Sequence, residues 1–152
     1  KAMYKNILVP IDAEGLSDRA LQHAIGLSGA LGAQLTLMTV AEPVYADVTR
    51  ADEIREAFEG GDAATEHANK LLESASEKLR AAKIPFETAV YCGDKPWEGI
   101  AMAAGDHHCD LIVMASRGGK HLDGFVFGSV AASVLTRSQI PLLVVKDSDA
   151  SD

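Results

Sequence analysis

Five short apolar runs alternate with stretches of helical spacing, and that alternation leaves few folds open to this chain. The runs are "YKNILVPID" (4–12), "AQLTLMTVAE" (33–42), "PFETAVYC" (85–92), "DLIVMA" (110–115) and "PLLVVK" (141–146). The first and fourth are apolar without a polar face, the pattern of strands covered on both sides. The third alternates. Between the first two, Ser17 and Asp18 offer an N-cap and an acid for a helix's first turn. Ala20, Leu21, Ala24, Ile25, Leu27 and Leu31 follow at helical spacing, and Gly32 stops the helix. A long amphipathic helix starts at Asp62, with Ala64, Ala68, Leu71, Leu72, Ala75 and Leu79 on one face. Gly93-Asp94 turns the chain, and Pro96 suits the first turn of a helix reaching about His107. A last helix is predicted over 128–137. Residues 43–61 read as irregular, with a short helix over 52–58. Strands that alternate with helices pair in parallel through right-handed crossovers. The predicted class is α/β, a three-layer helix–sheet–helix sandwich around a five-stranded parallel sheet.

With 152 residues, 47% of them hydrophobic and 24% charged, the chain suits one globular domain that needs no disulfide staples. The longest apolar runs, Leu111 to Ala115 and Ile140 to Val145, are too short to cross a bilayer. No basic-then-apolar leader opens the sequence, so the expected location is the cytoplasm. The 14 Lys+Arg against 22 Asp+Glu leave a formal charge of −8, a field that repels a nucleic acid backbone. A single small anion is different, because local donors can outweigh distant charge. Cys92 and Cys109 form no C-x-x-C pair and are expected as buried, reduced thiols at separate strand ends.

After the fourth strand comes "SRGGKHLDGFVFGSVAAS" (116–133), with glycines at 118, 119, 124 and 128. Open parallel sheets bind ligands beyond the carboxyl ends of their strands, where the strand order reverses, so this loop lies where a ligand site belongs. The helix that starts at Gly128-Ser129 exposes unpaired N–H groups with a partial positive charge. Gly128, Ser129 and Val130 are therefore candidate phosphate donors. Gly118 and Gly119 belong to the same cradle, and Arg117 and Lys120 are its nearby cations. The pattern is neither a Walker loop nor the dinucleotide G-x-G-x-x-G.

In these motifs the chain resembles a universal stress protein over residues 3–146. The likeness covers "ILVPID", the "GD" before the third helix, "DLIVMAS" and "GSVAASVLTRSQIPLLVV"; a short polar tail, 147–152, follows. The family's ATP-binding branch carries G-x2-G-x9-G-[S/T]. Gly118 takes the second glycine, nine residues intervene, and Gly128-Ser129 completes the pattern, while Ala115 replaces the first glycine. Alanine there implies weakened rather than abolished binding, through backbone strain or a crowding methyl.

The resemblance implies a Rossmann-like sheet of order 3-2-1-4-5, of the adenine nucleotide alpha hydrolase-like type. It implies ATP as the ligand and an adenosine pocket at Pro10, Ile11, Asp12 and Val40, with Met114 and Ala115 along the ribose. Asp12 can accept from a sugar hydroxyl or hold Mg²⁺. It also implies a homodimer through strand 141–146.

An enzyme needs a nucleophile with a base, or paired carboxylates around a metal, and nothing in the sequence places a His or Asp beside Ser129. The chain therefore reads as a regulatory ATP-binding module with no catalytic residues. Alternatives are an interaction protein with an empty pocket and a weak ATP hydrolase. "HHCD" (107–110) looks like a metal cluster, but four consecutive residues diverge, so no metal site is expected. His121 reads as an exposed loop histidine, and Trp97 as partly buried against a neighbour.

Overall fold

A computed structural model describes residues 3–12, 17–41, 62–116 and 128–146. The elements run β1 (Asn6–Pro10), α1 (Ser17–Leu31), β2 (Gln34–Ala41), α2 (Asp62–Ala81), β3 (Phe86–Cys92), α3 (Pro96–Asp106), β4 (Leu111–Ser116), α4 (Ser129–Arg137) and β5 (Leu142–Lys146). All five strands pair in parallel, in the order β3-β2-β1-β4-β5. The short helix expected over 52–58 and the tail 147–152 lie outside the described residues.

Two cores flank the sheet because successive strand residues point to opposite faces. Ile7, Val9, Leu35, Leu37, Leu111 and Val113 pack under α1 and α2, against Leu21, Leu72 and Leu79. Leu8, Met38, Ile112 and Met114 face α3 and α4, against Ile100, Ala103 and Val134. Ile7, Leu8 and Val9 are wholly buried, which is why β1 carries no polar alternation.

The helix ends show how local chemistry sets the turns. Gly32 sits at φ +71 after α1, where its lack of a Cβ removes the penalty of the left-handed region. The Ser28 hydroxyl donates to the Ala33 carbonyl and closes that turn. α2 and α3 end the same way without glycine. Lys83 (φ 58) and His108 (φ 53) take the left-handed position, and Ile84 and Cys109 donate back to Leu79 (3.0 Å) and Ala104 (2.8 Å).

"HHCD" is thus a helix terminus, and its four side chains part company. The His107 ring lies 3.0 Å from Glu87, and the Asp110 carboxylate accepts the N–H groups of Lys5 and Asn6. Cys109 is buried, and His108 is exposed. Among the described residues, no three His, Cys, Asp or Glu side chains gather as a metal would require. No described helix is long and apolar enough to span a membrane.

Cys109 is buried as expected, but Cys92, on the outermost strand at its open end, is exposed. Position in the sheet decides this, since both lie at strand ends in the sequence. Burial pushes the Cys109 thiol up to about 11. The thiolate is the reactive form. At pH 8 a disulfide reagent should therefore modify Cys92 in the folded protein and reach Cys109 only after unfolding, a difference that absorbance titration reads directly.

Candidate functional site

The two ends of the sheet are built differently. At the amino end, buried Asn6 ties three segments together. Its side-chain amide donates to the His107 carbonyl at 2.6 Å, and its side-chain oxygen accepts from the Thr36 hydroxyl at 3.0 Å. Its backbone carbonyl takes the Asp110 N–H at 3.0 Å. At the carboxyl end the central strands part. β1 stays paired with β2 through Pro10 and Met38, but with β4 only at Ile7–Leu111 and Leu8–Ile112.

Pro10 supplies a reason. The Ile11 N–H bonds the Met38 carbonyl on β2 at 2.7 Å. N–H groups alternate sides along a strand, so Pro10's own position faces β4, and proline has no hydrogen to offer. The ladder stops there, and a crevice opens between β1 and β4. Because the chain steps outward through β2 and β3 and then returns beyond β1 to β4, this is where the topology reverses.

The residues around the crevice come from β1, β2 and β4. Ile11 is buried, and its carbonyl accepts from the buried Thr39 hydroxyl at 2.8 Å, which fixes the turn that carries half-buried Asp12. Val40, half-buried, lies two residues beyond Met38, the last β2 residue paired with β1. Met114 is buried among the α3/α4 core, and Ala115 is half-buried. Ala115 pairs with Val145 as an ordinary strand residue, and its side chain packs with the α1 core. It is not among the residues at positive φ, so the strain expected of alanine there is absent.

Ser116, not singled out from the sequence, sets the approach of α4. It is 1% exposed, and its Oγ accepts the Gly128 N–H at 3.0 Å. The bond spans the whole glycine loop and brings the N-terminus of α4 against the end of β4. It also uses up the donor expected from Gly128. The first bond inside α4 is Ala132 N–H to the Gly128 carbonyl at 2.9 Å, so the Ser129, Val130 and Ala131 amides have no acceptor within the helix. Gly128, without a side chain, caps none of them. Ser129 is exposed at the rim.

The structure thus brings Pro10, Ile11, Asp12, Val40, Met114, Ala115, Gly128, Ser129 and Val130 to one end of the sheet. Arg117, Gly118, Gly119, Lys120 and His121 lie outside the described residues. Trp97 is half-buried as expected and carries the Arg137 guanidinium 4.7 Å from its ring centroid, linking α3 to α4.

Known proteins share this frame. The chain is 30% identical over 155 residues to universal stress protein YxiE of Bacillus subtilis, a match covering 95% of this chain and all of that one. It is 29% identical over 160 residues to universal stress protein MJ0577 of Methanocaldococcus jannaschii, across 95% and 96% of the two chains. The solved structure of MJ0577 superposes with a TM-score of 0.77 over 97% of this chain and 99% of that one. A universal stress protein solved in complex with cAMP, 27% identical, superposes at 0.68 over 95% and 98%. The family model for universal stress proteins matches residues 3–146, the whole of the described fold. On fold, strand order and sequence together, the chain belongs to the universal stress protein family.

Proposed function

We propose that the crevice between β1 and β4 binds an adenine nucleotide, ATP with Mg²⁺, and that the protein is a regulatory binding module rather than an enzyme. The observation that carries this reading is the Ser116–Gly128 bond. It sets the start of α4 against the end of β4, with the Ser129 and Val130 amides lacking an acceptor within the helix, a site suited to a phosphate. Asp12, half-buried at the end of β1, is placed to take a sugar hydroxyl or Mg²⁺, and Val40 to wall the base. The relative solved with cAMP, 27% identical, supports the ligand class.

Ala115 does not count heavily against it, given its regular backbone and a methyl packed on the α1 core. The module belongs to stress response in the cytoplasm, where the free thiols Cys92 and Cys109 persist. It acts as a homodimer through β5 whose nucleotide state biases a protein partner.

Titration calorimetry tests the ligand. ATP with Mg²⁺ gives saturable heat, tighter than AMP because the α4 N-terminus addresses the outer phosphates. No heat at concentrations into the millimolar range of weak sites overturns the reading in favour of an interaction protein with an empty pocket. Steady phosphate release that Ser129→Ala abolishes favours a hydrolase instead.

A further inference from the structure

α3 lies across the carboxyl halves of β2 and β3, and Gly99 marks a very close approach. A Cβ built there would lie 2.8 Å from Val40 Cγ2 and 3.4 Å from Tyr91 Cβ. Carbon atoms prefer separations of about 3.5–4.0 Å, so something has to move. The helix is held from several sides. The Tyr91 hydroxyl donates to Asp106, its last residue, at 2.6 Å, and Trp97 near its start stacks with Arg137 of α4. Between them Ile100, Ala103 and Ala104 are buried in the core. Val40 is half-buried, so it has room to yield that the buried face of the helix lacks. Its β-branched side chain has few rotamers, so relief comes as a discrete turn rather than a small flex.

We infer that Gly99 is a positioning residue for the nucleotide crevice: lacking a side chain, it lets Val40 sit back against α3 and keeps the β2 side open to a flat base. The inference rests on the proposed role of Val40 as the wall of that site. Gly99 itself touches no ligand. It sets, through Val40, how much room the base has, while the phosphate end at α4 is built independently by Ser116 and Gly128.

The test is calorimetric titration of wild type, Gly99→Ala, Val40→Ala and the double variant with ATP and Mg²⁺. Inorganic tripolyphosphate, which has no base, is titrated in parallel. Gly99→Ala should weaken ATP about tenfold, the low end of the effect of one methylene in a fitted pocket, and leave tripolyphosphate unchanged. The double variant should bind ATP as Val40→Ala alone does, because the added methyl then has nothing to displace.

A wild type that binds no ATP overturns the nucleotide reading and this inference with it. A wild type that binds ATP, matched by an equally tight Gly99→Ala, overturns the inference alone. So does an equal loss for ATP and tripolyphosphate that Val40→Ala fails to repair, which marks a loosened helix. Should Gly99→Ala not fold, the double variant against Val40→Ala carries the same comparison: equal ATP affinity upholds the inference, and a further loss overturns it.

Discussion

Gly128→Val lowers the affinity for ATP by about a hundredfold, two factors of about 1.4 kcal/mol each, with the thermal midpoint close to that of wild type. The backbone at Gly128 has φ −65 and ψ 150, the extended region that valine favours. Folding therefore has little to lose, and replacing glycine where the conformation is compatible restricts the unfolded chain. Its N–H remains available to Ser116 and its carbonyl to Ala132. What changes is the space at the start of α4. A branched side chain there stands beside the Ser129 and Val130 amides, the donors proposed for phosphate. Calorimetry of the variant beside a thermal melt separates the two effects. An unchanged affinity would put the anion elsewhere on the molecule.

Val144→Lys converts the proposed dimer to a monomer in light scattering coupled to size exclusion. β5 pairs with β4 from Ile112–Leu142 to Ser116–Lys146, and it is last in the sheet order, so its other side is an edge. Val145 is buried against the α1 core, while Leu143 on the same face is 37% exposed. An apolar edge strand invites pairing, and Pro141 and Lys146 at its two ends are modest guards. Pairing with its own copy across a two-fold axis closes both edges in one self-complementary contact. A lysine at 144 brings a charge into the middle of that contact. A monomeric wild type, or a dimer indifferent to the lysine, rules out pairing through β5.

The order of strands and helices was readable because each element carries its own pattern. β1 is an unbroken apolar run since both its faces are covered, and Ala68, Leu72, Ala75 and Leu79 of α2 recur at helical spacing because one side is buried. Gly32 announced the end of α1 through a conformation that glycine adopts freely. The ends of α2 and α3 gave no such signal, because Lys83 and His108 take the same left-handed position and no side chain marks it. "HHCD" put four possible ligands in a row that adjacency alone says must diverge, and the turn it makes decides where each side chain goes.

The site divides along the same line. Gly128 and Ser129 could be named from the sequence, since a helix start has a local chemistry that suits an anion, while Pro10 and Asp12 came only with the family resemblance. Ser116, Thr39 and Gly99 came from neither. Ser116 matters because it meets Gly128 across the loop, Thr39 because it holds the Ile11 carbonyl, and Gly99 because Val40 of β2 lies against it. The exposure of Cys92 likewise follows from β3 being an outer strand. Local pattern is sufficient for periodicity, caps and turns, whose energetics involve residues a few positions apart. The width of the crevice and the aim of its donors depend on contacts between residues 12 to 59 positions apart, and those exist only once the sheet has formed.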